Sequence, residues 1–331
     1  MTAPREAVNR ILLVALDNLG DLVFTSALTP PLHDAFPRAT IDVWCKAYTA
    51  DAAALIPHVS GVIGADPFWA VPKHLARPSM IAFLRSVNNV ARNRYDLAIL
   101  SEAPWRAAAA VAATRIPIRI GRSRRHNRRF LTHVVEAEDP HKPVVQEQAR
   151  LLSSLGIQAD SPRYCLDASR LGHVGARVAG QLPARFVAFH PFAGQRDRCV
   201  ALTEWTQMAF AMHARGYPIL WIGTTAELEE IRRSHTHPLG LYADQLMDAS
   251  LATTLAALSQ AHLFVGHDSG PLHVAAAFGV PVVGLFAPGQ PDRTFPQGTG
   301  PWRIVARPGP ESITADVVLR EIDGLGLVLS P

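Results

Sequence analysis

The sequence predicts an α/β protein made of two doubly wound, Rossmann-like domains with a cleft between them. Two observations carry that prediction. Short apolar runs alternate along the 331 residues with amphipathic or alanine-rich segments of helical period. The alternation pauses once, at the short polar stretch GIQADSPRYCLDASR (156–170), and then restarts with a new strand. Strands alternating with helices in this way form parallel sheets covered on both faces.

In chain order the expected strands are ILLVAL (11–16), TIDVWC (40–45), YDLAIL (95–100), PIRIG (117–121), RFVAFH (185–190), PILWIG (218–223), HLFVG (262–266), PVVGLF (281–286) and WRIVA (302–306). Runs this apolar fit burial on both faces of a sheet. The segments between them include TSALTPPLHDAF, MIAFLRSVNNVARN, EQARLLSSLG, LTEWTQMAFAMHARG and LATTLAALSQA, which read as helices. The pause divides the chain into domains at 1–165 and 166–331. Ligands of doubly wound sheets bind beyond the carboxyl ends of the strands, so strand-to-helix corners are the places to look for function.

Composition narrows the function. The chain is 48% hydrophobic and 18% charged, ordinary values for a soluble globular protein, and no run of about 18 or more uncharged apolar residues reads as a membrane span. The start, MTAPREAVNR, lacks the long apolar core of a secretory signal. Cys45, Cys165 and Cys199 are odd in number, widely spread and without metal-ligand spacing, which fits a reducing cytoplasm. The net charge of +4 is unevenly placed: GRSRRHNRR (121–129) holds five arginines and no acid. It reads either as a solvated loop or as a patch that meets an anionic partner. No aromatic residues are interleaved with it, which argues against single-stranded nucleic acid.

Four corners carry unusual chemistry. In VALDNLGDLVFTSAL (14–28) an apolar strand ends at Leu16, and Asp17-Asn18-Leu19-Gly20-Asp21 turns into a helix. Gly20 allows a backbone conformation or a close approach that a side chain would block. Asp21 is either a helix cap or a carboxylate placed as a general base. In AFHPFAGQRDRCVALTEW (188–205) a loop with glycine and two further arginines, Arg196 and Arg198, precedes a helix capped near Thr203, a setting that can hold phosphate. In WIGTTAELEEI (221–231) Glu227 suits a capping box, and a ribose-binding carboxylate would look the same. The fourth corner, VGHDSGPLHVAAAFGVPVVGLF (265–286), places Asp268 at a strand end, Ser269 as N-cap, Pro271 in the first helical turn and His273 on that turn. Gly270 leaves the backbone uncovered, so amides and the positive helix end can cradle a diphosphate.

Competing motifs are missing. No G-x-G-x-x-G follows a strand, and there is no P-loop and no G-x-S-x-G elbow. No D-x-D pair is available to clamp a metal–nucleotide complex. The 14 histidines form no ligand grouping, His235 and His237 being merely two apart in an expected loop, so metal dependence is disfavoured and no cofactor is expected.

Taken together, the corners resemble glycosyltransferase family 9, the heptosyltransferases of the lipopolysaccharide inner core. That family opens with a strand, a D-x-x-G-D turn and an apolar helix, matched here by LDNLGDLVFTSAL; the following FPRATIDVWC is similar as well. Its late signature, (N/H/V)-D-S/T-G-x-x-H-x-A-A followed by G-x-P-x-V-x-L-F, is matched by GHDSGPLHVAAAFGVPVVGLF. The resemblance spans essentially the whole chain. It implies a GT-B-type fold, with the acceptor on the first domain and the nucleotide-sugar on the second. It implies Asp21 as catalytic base, Ser269, Gly270 and Pro271 at the donor diphosphate, Asp268 on sugar hydroxyls with His273 nearby, and Glu227 on ribose. Where the family carries K-x-W-P, this chain has Arg198-Cys199-Val200-Ala201, which keeps the charge and changes the packing.

The implied activity is inverting, metal-independent transfer of a sugar, foremost heptose from ADP-heptose, to a hydroxyl of an anionic glycan or glycolipid. Asn18, Gly20, Arg122, Arg124 and Arg125 are the expected acceptor-side residues. The enzyme would be cytoplasmic, with peripheral contact at the inner membrane surface. A nucleotide-sugar 2-epimerase and a non-catalytic sugar-nucleotide-binding protein are the alternatives.

Overall fold

The structure is a computed structural model that describes residues 8–69, 79–137, 139–234, 250–327 and the backbone of 240–242. His235 and His237 lie outside the described residues. The chain divides into two units, Met1–Leu166 and Asp167–Pro331.

Each unit is built on one six-stranded sheet in which every recorded strand pair is parallel. The first contains β1 (Arg10–Ala15), β2 (Thr40–Cys45), β3 (Val59–Gly64), β4 (Leu97–Leu100), β5 (Ile118–Arg122) and β6 (His133–Val135), in the order β3-β2-β1-β4-β5-β6. The second contains β7 (Val187–His190), β8 (Ile219–Trp221), β9 (Gly240–Tyr242), β10 (Leu263–His267), β11 (Val282–Phe286) and β12 (Trp302–Ala306), in the order β12-β11-β10-β7-β8-β9. Read from its own first strand, each sheet is doubly wound, with strand order 3-2-1-4-5-6. Crossovers leave β1 and β7 in opposite directions from those that reach β4 and β10. The switch points therefore fall at the carboxyl ends of β1 and β4, and of β7 and β10.

All nine expected strands form. β3, β6 and β9 are additional, and each lies on a sheet edge. Central strands are buried on both faces: β4, β7, β10 and β11 are buried throughout, and β1 is buried after Arg10. In the first unit Trp44 stacks on Phe83 with ring centroids 5.5 Å apart. In the second, Phe189 meets Trp205 and Trp221 edge-on at 5.3 and 5.5 Å. Aromatic pairs in offset or edge-on geometry add to the area they bury. Gly266 on β10 has a packing reason: a Cβ there would fall 2.6 Å from the Phe264 ring and 3.3 Å from His190 Cβ.

Candidate active site

At the first switch point β1 runs into the Leu19–Thr25 helix. Asn18 occupies the N-cap position, and Asp21, third in the helix, accepts the Asn18 backbone N–H through Oδ2 at 3.2 Å. Capping chemistry is thus satisfied and also fixes where the Asp21 carboxylate stands. Gly20 is the second residue of the helix and has no positive φ, so of the two expectations for glycine there, a special backbone conformation or a close approach, the first does not hold.

Neighbouring elements supply groups that sequence reasoning missed. Lys46, following β2, is only 6% exposed and donates from Nζ to Asn18 Oδ1 at 3.1 Å. The Tyr48 hydroxyl accepts the Leu19 N–H at 3.1 Å. Burial pushes the Asp17 carboxyl above its usual range; Asp21 adds to the rise, and Lys46 and Arg124 oppose it. Asp17, Asp21 and Lys46 thus form one electrostatic group drawn from two strand ends. Their sequence separation is why no local motif joined them.

The arginine loop splits into two chemistries. Arg122 ends β5 and is buried, 2% exposed; Nη1 donates to Ser101 O and Glu102 Oε1, both at 3.3 Å. This corrects the expectation that Arg122 belongs to an exposed acceptor patch: its charge is committed to Glu102, which also pairs with Arg124. The loop beyond is held by Asn127, fully buried. Asn127 Nδ2 donates to Ala103 O and Arg122 O at 2.8 Å, and its Oδ1 accepts the Arg124 N–H at 2.9 Å. Arg124, Arg125, Arg128 and Arg129 remain exposed and, with Ser123 and His126, line a depression of about 520 Å³.

At the second switch point the Gly270–Ala277 helix begins directly after β10, with Pro271 in its first turn. Ser269 holds the N-cap position in extended conformation, but its side chain does not cap. Its hydroxyl donates to His267 O at 3.1 Å and lies 3.3 Å from His190 Nδ1. The expectation that Ser269 caps through its hydroxyl is thereby corrected: two buried histidine positions draw the hydroxyl away, and the first-turn amides are left without a side-chain cap. The Asp268 carboxylate is braced by Thr294 Oγ1, donating at 3.0 Å, and by His273 Nε2 at 3.3 Å. His273 itself is buried, 2% exposed.

The Gln195–Val200 loop follows β7. Arg196 is committed to Glu230 at 2.7 Å and covers the Phe192 ring. Arg198 is half-buried, and its guanidinium has no hydrogen-bond or ion-pair partner among the described residues. The next helix, Leu202–Ala214, starts after Ala201 with no side-chain cap, so the cap expected near Thr203 is not formed. The Val200 N–H donates to His267 Nε2 at 3.2 Å, which ties this loop to the strand below Ser269. Burial pulls both His190 and His267 down to about 4, His190 adding to the effect on His267. Glu227, in the helix Thr225–Arg233, closes a full capping box with Thr224.

A glycosyltransferase family 9 (heptosyltransferase) profile matches residues 83–305, well over half of the chain. The chain belongs to glycosyltransferase family 9. Among its relatives, lipopolysaccharide heptosyltransferase 3 of Escherichia coli is 25% identical over 296 residues, covering 83% of this chain and 82% of the relative. Among solved structures, a family 9 glycosyl transferase from Veillonella parvula has a TM-score of 0.79 at 18% identity, covering 96% of this chain and 97% of that one. E. coli heptosyltransferase WaaC with ADP also gives a TM-score of 0.79 at 18% identity, covering 96% and 99%. These likenesses and the two doubly wound sheets give this glycosyltransferase the GT-B-type fold. Among its described residues no helix is long and apolar enough to cross a membrane, and no three His, Cys, Asp or Glu side chains are grouped as metal ligands.

Proposed function

We propose that the transferase moves heptose from ADP-heptose, with inversion and without a metal, onto a hydroxyl of an anionic, lipopolysaccharide-core-like acceptor in the cytoplasm. Support for the donor comes from family membership, from E. coli relatives that are lipopolysaccharide heptosyltransferases, and from the likeness to WaaC solved with ADP and with ADP-2-deoxy-2-fluoro heptose. Family membership also weighs against the epimerase and non-catalytic readings.

The observation that carries the site assignment is the inward turn of the Ser269 hydroxyl, which leaves the helix at Gly270 without a side-chain cap. An uncapped helix start directly after a buried strand suits an anion. In this reading the first-turn amides near Gly270 and Pro271 receive the donor diphosphate, and Arg198 supplies the positive charge. Asp268, already oriented by Thr294 and His273, accepts sugar hydroxyls, and Glu227 accepts ribose hydroxyls. Asn18 and the arginines at 124 and 125 serve the acceptor.

Asp21 takes the proton of the acceptor hydroxyl as its oxygen attacks the anomeric carbon. The bond from that carbon to the diphosphate oxygen breaks on the opposite face, and the bonding pair leaves with the nucleoside diphosphate. Arg198 and the helix amides stabilise the developing charge. General-base help of this kind is worth about 10²–10⁴-fold. Asp21→Asn keeps an oxygen for the Asn18 N–H, so the variant should fold normally and lose that factor in kcat. A folded variant turning over near the wild-type rate removes Asp21 from the role. Transfer that stops with EDTA and returns with Mg²⁺ removes the metal-free assignment.

A further inference from the structure

Three observations meet at Tyr48, in the short turn Ala47–Thr49 that follows β2. Its phenolic oxygen accepts the Leu19 N–H at 3.1 Å, at the start of the helix that carries Asp21 two residues later. That bond uses a lone pair of the oxygen, and no acceptor for the phenolic proton stands among the described residues. The side chain is 44% exposed, although Lys46 and Thr49 on either side of it are buried. The turn itself is firmly held. The Ala47 N–H donates to Asp66 Oδ1 at 3.0 Å, and the Thr49 N–H and hydroxyl both donate to Lys46 O at 3.0 Å. A Cβ on Gly64, the last residue of β3, would stand 3.3 Å from Ala47 Cα, so the strand end presses against the turn. With its hydroxyl tied and its backbone braced, Tyr48 is ordered before a ligand arrives, and little entropy is left to lose on binding.

Charge decides what such a side chain can hold. Burial pushes the Tyr48 hydroxyl above its usual range; the Leu19 N–H opposes the rise, and the Asp21, Asp66 and Asp17 carboxylates add to it. Tyr48 therefore keeps its proton at neutral pH and serves as a hydrogen-bond donor. The same three carboxylates disfavour a phosphate or a carboxylate beside the hydroxyl. Lys46, the cation that precedes the turn, is already bonded to Asn18. An uncharged ring that bears hydroxyls suits the position. One of its oxygens takes the phenolic proton, and its C–H face lies on the electron-rich face of the aromatic ring.

We propose that Tyr48 is an acceptor-binding residue beside the base: it donates its phenolic proton to an oxygen of an uncharged sugar ring of the acceptor and carries that ring on its exposed face. The anionic groups of the acceptor are held elsewhere. The inference rests on Asp21 as base and on a glycan acceptor, and adds to that reading a subsite and the kind of sugar it takes. A purely structural Tyr48 would only satisfy a first-turn helix amide, which water can also do.

The test uses the full chain with ADP-heptose and a deacylated lipopolysaccharide-core oligosaccharide. Tyr48→Phe removes the hydroxyl and keeps the ring. Its acceptor KM should rise about 2- to 10-fold, the worth of one neutral hydrogen bond, while kcat stays within about twofold and donor KM and Tm hold. Tyr48→Leu removes the ring as well and should raise acceptor KM on the order of 10- to 100-fold. Calorimetric titration of the oligosaccharide without donor should rank the Kd values in the same order. A fall in kcat with acceptor KM unchanged means that Tyr48 acts only through the Leu19 helix, and overturns the proposal. So does an acceptor KM in Tyr48→Phe equal to that of the wild type. Oligosaccharide that the wild type binds without transfer from ADP-heptose refutes the proposed reaction, and the titrations of the two variants then still decide the role of Tyr48. Oligosaccharide that is neither bound nor glycosylated refutes both.

Discussion

Mild acid should loosen the second domain and weaken donor binding through two buried histidines. His190 and His267 both sit near 4 in the folded chain against 6.5 when free, because burial disfavours their charged forms. The unfolded chain therefore binds these protons more readily. The stabilisation is complete above about pH 6.5, falls as the pH drops toward 4, and levels off below that. Between pH 7 and pH 5 each histidine gives up about 2 kcal/mol, and the pair about 3–4 kcal/mol. That is a large part of the 5–15 kcal/mol typical of a domain and corresponds to a fall in Tm on the order of 10 °C. Asp17 acts in the opposite sense in the first domain: its raised pKa means the folded state holds the proton more tightly, so acid does not cost stability there. Protonating His267 also turns Nε2 from an acceptor into a donor facing the Val200 N–H, which detaches the loop that carries Arg198. Calorimetry at fixed ionic strength should show the Tm falling over this range, hydrogen exchange at the Val200 amide should rise with it, and donor KM should increase. In His267→Gln, whose side-chain oxygen accepts the same N–H without titrating, about half of the pH-dependent loss should disappear. A Tm that holds steady from pH 7 to pH 5, or a His267→Gln protein with an unchanged pH slope, refutes the reasoning.

Two further substitutions test the remaining corners. Lys46→Met keeps the volume but removes the ammonium that bonds Asn18 and opposes the rise at Asp17. A hydrogen bond to a charged group is worth about 1.5–3 kcal/mol, so kcat/KM should fall about 10–100-fold and the acidic limb of the pH–rate profile should move upward; a profile unchanged in both respects counts against the Asp17–Asp21–Lys46 group. Glu227 separates by substitution: Glu227→Gln preserves the capping box and should raise donor KM about fivefold with Tm unchanged, whereas Glu227→Ala should also lose about 1 kcal/mol of stability. Equal KM for the Gln variant and wild type would leave Glu227 a cap alone.

The fold was legible because burial on both faces writes a parallel strand as an unbroken apolar run, and nine strands were read that way. The three that were not, β3, β6 and β9, are edge strands whose sequences are short or interrupted, whereas β12, also on an edge, keeps the readable run WRIVA. VSGVIG is interrupted by Gly61, where a Cβ would meet Asp42 Oδ1 at 2.8 Å, and β6 and β9 have three residues each. The corners were legible for a different reason, since cap positions and chain reversals restrict residue type locally. Side-chain direction was not. Ser269 occupies the expected position and points elsewhere, because His190 arrives from a strand 79 residues earlier. Arg122 shares a run with four exposed arginines and is itself buried, because it is still on β5 while the others have left the sheet. Lys46, Tyr48, His190 and Thr294 reach their corners from other elements, and no spacing within a motif encodes that.

Contrast between the helix starts in the second domain supports the two different roles proposed for them. The helix at Thr225 has both halves of a capping box closed, so its amides are satisfied by the chain itself, and what it offers outward is the Glu227 carboxylate. The helix at Gly270 also has a hydroxyl residue at its N-cap, yet that hydroxyl bonds back to His267 O, and the helix start is left without a side-chain cap. An acceptor of hydrogen bonds suits sugar hydroxyls, and a group of donors at a helix N-terminus suits an oxyanion. His190 and His267 decide which of the two the Gly270 helix becomes, by holding Ser269 down while remaining uncharged. Replacing Ser269 by Ala should therefore cost little helix stability, since no cap is lost; a loss of the 0.5–2 kcal/mol typical of a true cap would show that the hydroxyl turns outward in solution and closes the helix start.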